Sequence, residues 1–320
     1  MKVNRSLQRI VLRCGLLLLL GCISRSTGWS ASSSEAAEHG RTFLVSLLDT
    51  NLDLLPEYRG ARVYWVFHDN YLASKVLATC HPEISKAIVA AMAREGVRQS
   101  GKIELLFGEA DSPLPFREFQ LKEVRRVDGK FIRTEVATDR LLEGWQEYAD
   151  LLLLACIAEK DQPAAREYWE AAMRLWDGKG FLDAAARHDH RYSTYKLGLA
   201  LVAGRRFSSP SSPPAGLMAR LRSLQDESGG WVTDYDAAGK KIGVANVETT
   251  CLAILGLEEC RFQGEASTHP PRQRTTDEPT PAPDRRSPLH SSICFQNGVL
   301  FTGNLSPALQ TVADCPARAF

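Results

Sequence analysis

Three carboxylic acids at the beginnings of apolar, helix-like stretches have the chemistry of a catalytic site. They are Asp69, Asp150 and Glu248, and a run of apolar residues follows each of them. Cleavage of a glycosidic bond, or removal of a proton from a sugar ring, requires two carboxyl groups held apart and with different pKa values. We therefore predict that Asp69, Asp150 and Glu248 are catalytic residues, acting as general acid and as base or nucleophile.

Polar and aromatic residues near the same helix starts are candidates for substrate binding. Aromatic rings are suited to stacking on the face of a sugar. The residues predicted to contact substrate are Asn70, Tyr71, Tyr195, Lys196, Trp231 and Asn246. A structural interpretation competes with this one, because Asp, Asn, Thr and Glu at helix starts commonly serve as caps and as partners of the helix dipole. A Tyr on a buried helix likewise commonly serves packing.

Patterns typical of metal, phosphate or activated-nucleophile sites are weak or missing in the sequence. His188 and His190 have a spacing that occurs in metal sites, but two histidines in a polar, Arg-flanked loop are more commonly solvated. The sequence contains no Gly-rich phosphate loop, no Gly-x-Ser-x-Gly elbow and no His-Glu-x-x-His motif. We therefore predict no metal and no cofactor.

The elements that must position these residues form a repeating pattern of helices. A spacing of six residues recurs in four apolar stretches. It separates Tyr71 from Leu77, Tyr148 from Leu154, Tyr195 from Leu201 and Thr249 from Leu255. Amphipathic stretches alternate with the apolar ones, which is typical of helical hairpins in two layers, with inner helices covered on both sides. In that arrangement the starts of the inner helices meet at one mouth of a central cavity.

Residues 102–137 depart from this helical pattern. The segments 102–107, 116–124 and 130–138 alternate like strands, and Asp128-Gly129 predicts a two-residue hairpin turn between the last two. We predict a small β-hairpin insertion between helices.

The best-defined motif is Leu221-x-x-x-Gln225-x-x-x-Gly229-x-Trp231. It resembles the QW repeat of the terpenoid cyclase and protein prenyltransferase superfamily, whose members are α/α toroids. The resemblance implies that Gln225 caps the start of the next turn and that Trp231 stacks against it. Residues 175–181 resemble a degenerate copy. The Asp-x-Asp-Asp motif and the Asp, Cys and His zinc ligands of that superfamily are missing from the sequence, so only the fold is carried over.

The repeats and this resemblance together predict the fold class. We expect an all-α dominated domain over residues 36–260, an α/α hairpin toroid or open arc of about eight helices with the small β-hairpin insertion. Cys80, Cys156 and Cys251 fall in its apolar helical stretches, where buried free thiols are expected.

The two ends of the chain differ in character from this domain. Residues 1–33 combine basic residues with a short apolar run, which is typical of a secretory signal. Leu19-Leu20-Gly21-Cys22 resembles a bacterial lipobox and predicts a lipid anchor at Cys22. Cleavage near Ala31 without an anchor is one alternative, and a spurious start upstream of a cytosolic protein is another. Residues 261–320 begin with a Pro-, Arg- and Thr-rich linker predicted to be disordered and end in an irregular tail.

The balanced charge and the predicted secretory signal limit the classes of function that we consider. The 39 Lys and Arg residues balance 38 Asp and Glu residues, so no global field attracts nucleic acid, and we predict membrane association only through Cys22. The favoured hypothesis is an exported, periplasmic or extracellular, carbohydrate-active enzyme or sugar-binding protein that holds a saccharide or other small ligand in its cavity. The alternatives are a non-catalytic scaffold that binds a protein or peptide, and an isoprenoid-binding or cyclase-like protein.

Overall fold

The computed structural model describes residues 32–97, 102–109, 116–205 and 213–258. Its helices are α1 (Ser33–Ser46), α2 (Leu72–Leu77), α3 (Pro82–Arg94), α4 (Ala149–Ala158), α5 (Gln162–Arg174), α6 (Ala184–Asp189), α7 (Tyr195–Gly204), α8 (Ala215–Ser223) and α9 (Val247–Leu257). Its strands are β1 (Val63–Trp65), β2 (Arg117–Val127), β3 (Lys130–Leu141), β4 (Tyr192–Ser193), β5 (Trp231–Tyr235) and β6 (Lys241–Asn246). Short 3₁₀ helices span Ile103–Phe107 and Trp145–Glu147, and Val66–Tyr71 is a π-helix.

The predicted all-α dominated class is wrong. The described part of the chain contains two three-stranded sheets beside its α-helices, so the fold is mixed α/β. The second sheet, in the order β4-β5-β6, lies outside the predicted β-hairpin insertion. All five residues of β5 are buried, so the strand lacks the polar and apolar alternation that identifies a strand with one solvated face.

The first sheet has the order β1-β3-β2 and contains the predicted hairpin. Asp128 and Gly129 have φ angles of 50° and 72°, and they join β2 to β3 through the pair Val127 and Lys130. Two features differ from expectation. The segment Ile103–Phe107 is a 3₁₀ helix and not a strand, and β1 pairs in parallel with β3, which ties the hairpin to the segment before α2.

The core is formed by apolar helices that cover one another on several sides. Helix α9 packs against α7, α1 and α2, and α7 also packs against α4. The crossing of α7 and α9 depends on glycine. A Cβ atom added at Gly198 would lie 2.4 Å from the carbonyl oxygen of Leu252, and one added at Gly256 would lie 2.7 Å from the carbonyl oxygen of Gly198. The backbones of the two helices are therefore in direct contact.

Three amphipathic helices, α1, α5 and α8, are followed by a similar turn, which starts at Asp49, Asp177 or Asp226. In each turn the aspartate amide donates to a carbonyl further along, on Leu54, Gly180 or Gly230, at 3.0, 3.1 or 2.8 Å. In each turn the aspartate Oδ1 atom also accepts from the backbone amide two residues on, on Asn51, Lys179 or Ser228. The turn after α5 lies within residues 175–181, so this segment shares its backbone geometry with the turns after α1 and α8.

The QW-like motif ties the turn after α8 to α1. The Gln225 Nε2 atom donates to the carbonyl oxygens of Ala36 and Gly229, at 2.8 and 2.7 Å. The Trp231 side chain is fully buried, and its Nε1 atom donates to the carbonyl oxygen of Leu221 at 2.8 Å. A Cβ atom at Gly40 would lie 2.8 Å from the indole ring, so the ring packs directly against α1.

Several predictions concern thiols, membranes and the ends of the chain. Cys156 and Cys251 are buried as predicted, but Cys80 is exposed, because it lies beyond the end of α2 and not within it. Within the described ranges, no helix has the length and apolar character needed to cross a membrane. The predicted leader with its anchor at Cys22 and the predicted tail 261–320 lie outside the described residues.

Candidate active site: a buried carboxyl cluster

Three carboxyl residues, Glu57, Asp69 and Glu248, form what is called here the carboxyl cluster. Asp69 lies on the π-helix between β1 and α2, and Glu248 lies in the first turn of α9. The backbone places Glu57 beside both elements. Its amide donates to the carbonyl oxygen of Val63 at β1 at 2.9 Å, and its carbonyl oxygen accepts from the amide of Val247 in α9 at 3.0 Å.

Burial and mutual repulsion disfavour the charged forms of these acids. Asp69 is 2% exposed and Glu248 is 7% exposed, and the Asp69 Oδ2 and Glu248 Oε1 atoms accept no hydrogen bond from the described residues. Burial raises the pKa of Asp69 well above its usual value, and the charge of Glu57 raises it further. Burial also raises the pKa of Glu248, with further increases from Asp69, Glu135 and Glu57 that outweigh the opposing Lys102.

Glu57 is the member of the cluster whose ionised form is best supported. Burial raises the pKa of Glu57 to about 7, while the nearby Trp65 side chain and the charge of Arg133 act in the opposite direction. These effects favour the protonated forms of Asp69 and Glu248, whereas Glu57, with a pKa of about 7, is poised between its two forms near neutral pH. Pairs of acids whose surroundings separate their protonation states are typical of general acid–base sites.

A second group of polar side chains borders Glu248. The Glu135 Oε2 atom lies 3.3 Å from His68 Nε2 and 3.1 Å from Lys102 Nζ, and all three side chains are buried. Burial lowers the pKa of His68, and although Glu135 opposes this change, the charge of Lys102 adds to it. These effects favour the neutral imidazole of His68, and the Lys102 side chain pairs with Glu135.

Asp150 belongs to a different cluster, which joins the starts of α4, α6 and α7. The Lys196 Nζ atom lies 2.5 Å from Asp183 Oδ2 and 3.9 Å from Asp150 Oδ1, and the Tyr195 hydroxyl donates to Asp150 Oδ2 at 2.9 Å. Asp183 also accepts from the amides of Ala186 and Ala149, so it caps α6 and binds the first residue of α4. These contacts give Asp183 and Lys196 a structural role.

In the cluster that contains Asp150, Asp183 and Lys196, the ammonium group and the carboxylates stabilise one another. Burial would lower the pKa of Lys196, but the carboxyl groups of Asp150 and Asp183 raise it above its usual value. Burial raises the pKa of Asp150, with Lys196 opposing this change. Tyr195 connects the two clusters electrostatically, because the charge of Glu248 contributes to raising the pKa of its phenol after burial and the two aspartates.

The structure thus brings together some of the predicted catalytic residues and not others. Asp69 and Glu248 are neighbours in the carboxyl cluster, while Asp150 is bound by Tyr195 and Lys196 in the second cluster. Sequence reasoning missed Glu57 and Glu135. Glu57 lies outside the four apolar stretches that share the repeated spacing, and only the parallel pairing of β1 with β3 places Glu135 beside His68. Neither position has a local sequence signal.

The polar atoms of the predicted binding residues already have partners within the protein. Asn70 accepts from the Leu55 amide and donates to the carbonyl oxygens of Leu55 and Trp65, which uses its whole amide group. Asn246 caps α9 by accepting from the Thr249 amide. These bonds favour the structural interpretation of both asparagines.

The predicted aromatic contacts have structural environments as well. The Tyr71 ring stacks on Phe67 with centroids 5.2 Å apart, and its hydroxyl donates to Glu109. No face of the Trp231 ring is open to a sugar, because that side chain is fully buried. The prediction that Trp231 stacks on substrate is therefore corrected to a packing role.

The described acids of the site do not gather into a metal-binding group. Among the described residues, no three or more His, Cys, Asp or Glu side chains form a group that could hold a metal ion. No protein-family model matches the chain, and no curated protein or solved structure is significantly similar to it.

Proposed function

We propose that this protein is an acid–base enzyme that hydrolyses a glycosidic bond at the carboxyl cluster. The observation that carries the proposal is the pair of buried acids, Asp69 and Glu248, each with one carboxyl oxygen that accepts no hydrogen bond from the part of the chain that the structure describes. A protonated carboxyl in an apolar site is a general acid, and its unpaired oxygen is the atom that can contact a substrate.

The three acids of the cluster divide the reaction between them. Asp69 or Glu248 donates its proton to the leaving glycosidic oxygen as the bond to the anomeric carbon breaks. Glu57, whose pKa is about 7, takes a proton from the water that attacks this carbon. The hydrolysis releases two free sugar hydroxyl groups, and transfer of the proton from Glu57 back to the acid restores the site.

Residual exposure indicates the direction from which a substrate approaches. Asp69 is the most deeply buried acid of the cluster, whereas Glu57 and Glu248 are 5% and 7% exposed. Tyr58 is half-buried beside Glu57, and it pairs with Asn246 immediately before α9. Arg133, also half-buried, acts electrostatically on Glu57. We place the entrance on this side of the cluster.

Hydrolysis of aryl glycosides and oligosaccharides by the purified protein tests the proposal. Asp69→Asn and Glu248→Gln preserve side-chain shape but remove the proton donor, so one of them should lower kcat by a factor of about 10²–10⁴. Glu57→Gln should remove the acidic limb of the pH–rate profile. Glu143→Gln, at an exposed position, is the matched control and should change neither. Full activity in all three cluster variants, or no binding or hydrolysis of any saccharide, would contradict the proposal.

A further inference from the structure

The surroundings of the carboxyl cluster contain more acids than bases. Among the described residues, the acids in electrostatic contact with one another or with His68 are Glu57, Asp69, Glu104, Glu135 and Glu248. The basic side chains acting on the same groups are Lys102, which pairs with Glu135, and Arg133, which acts on Glu57. His68 adds no charge while its imidazole is neutral. Among the described residues, Asp69 and Glu248 therefore have no basic side chain paired with them.

The geometry distinguishes this excess from an ordinary acidic patch. Asp69 and Glu248 are more than nine-tenths buried, and each has one carboxyl oxygen to which none of the described residues donates a hydrogen bond. Lys102 is not a donor to these atoms, because it is held by Glu135 and by the face of Phe119, whose centroid lies 3.4 Å from Nζ. Two buried acceptors without donors form a site for a group that brings its own hydrogens and a positive charge.

We infer that the substrate carries a free amine, and that its ammonium group binds between Asp69 and Glu248. This inference rests on the proposed function and narrows the substrate from a saccharide to an amino sugar. An amine on the ring carbon next to the anomeric carbon would lie close to the bond that is cleaved. The same carboxyl cluster can then hold the ammonium and act on that bond.

Binding of an ammonium group displaces a proton from the cluster. One carboxyl loses its proton to solvent and becomes the carboxylate that accepts from the ammonium, while the second carboxyl keeps its proton as the general acid. The groups that face these two acids are Glu57, Glu135, Lys102, Tyr195 and Cys251. Lys102 is the one cation in this group, and it pairs with Glu135. The ammonium group of the ligand therefore supplies the positive charge beside Asp69 and Glu248.

Calorimetric titration with three matched sugars tests the inference. The probes are oligomers of glucosamine, of N-acetylglucosamine and of glucose, at a pH where the free amine is charged and in two buffers with different ionisation enthalpies. The glucosamine oligomer should bind at least about tenfold more tightly than the other two, as one charge-assisted contact allows. Its binding should release up to one proton, whereas the neutral oligomers should release none.

Two variants separate charge recognition from a structural role. Asp69→Asn and Glu248→Gln should each reduce the preference for the amine and the release of the proton, and exposed Glu143→Gln should leave both unchanged. Equal or tighter binding of the neutral oligomers would overturn the inference while leaving the proposed function in place. Failure of every oligomer to bind would overturn both.

Discussion

Replacement of Glu57 by Gln tests the electrostatics of the carboxyl cluster through protein stability. Glu57 is buried, and its pKa rises from an ordinary value of 4.5 to about 7 in the folded protein. The folded state therefore holds a proton on Glu57 over a pH range in which the unfolded state has lost it. This contribution to stability is fully present below about pH 4.5 and is lost as the pH rises to about 7.

The magnitude follows from the size of the pKa difference. At about 1.4 kcal/mol for each pH unit, a change from 4.5 to about 7 corresponds to about 3 kcal/mol. Gln has nearly the same shape as protonated Glu and does not titrate, so the variant lacks this pH-dependent contribution. The free energy of unfolding of the wild type, minus that of Glu57→Gln, should fall by about 3 kcal/mol between pH 4.5 and about pH 8.

Urea unfolding at a series of pH values measures this difference. The same series on Glu143→Gln, at an exposed position, is the control and should give a difference that is nearly independent of pH. A difference for Glu57→Gln that stays constant within about 0.5 kcal/mol across the range would refute the reasoning. It would mean that Glu57 titrates alike in the folded and unfolded states.

Four further substitutions test the packing and a buried ion pair by urea unfolding. Trp231→Ala should lower the free energy of unfolding by about 3–5 kcal/mol, because the ring is fully buried, and an unchanged value would show that the ring does not support α1. Gly198→Ala should cost about 1–3 kcal/mol at the helix crossing. Gly216 has open space around it, so Gly216→Ala should leave stability unchanged or raise it by up to about 1 kcal/mol. Equal effects of Gly198→Ala and Gly216→Ala would contradict the close backbone contact of α7 with α9. Lys196→Met leaves two buried acids without a cation and should cost about 3–5 kcal/mol, whereas a neutral effect would exclude that ion pairing.

Local sequence signals predict the features that depend on a few neighbouring residues. Asp128-Gly129 forms the expected hairpin turn because both residues adopt positive φ angles. Pro82 begins α3, and Asp161 caps α5 by accepting from the Ala164 amide. The apolar helices α4, α7 and α9 are likewise predicted by their composition, because helices that are buried on most sides have few polar residues.

Features that depend on distant pairings are not predicted from the sequence. Asp69 and Glu248 could be predicted as site residues because both lie at the starts of apolar stretches. Glu135 could not be predicted as a site residue, because its position beside His68 requires the parallel pairing of β1 with β3. The same reason explains the missed second sheet, in which β5 pairs with β4 and β6 while all its side chains are buried. Strand pairing of this kind is set by tertiary packing and leaves little local pattern.

Asp69 and Glu248 are expected to hold protons at neutral pH, and infrared spectroscopy of the carboxyl groups tests this most directly. In the wild-type protein at pH 7, the carbonyl stretch of protonated carboxylic acid should be present. Asp69→Asn and Glu248→Gln should each remove part of that band, and Glu143→Gln should leave it unchanged. A wild-type spectrum that contains only ionised carboxylates at pH 7, or an identical band in the wild type and both cluster variants, would contradict the claim.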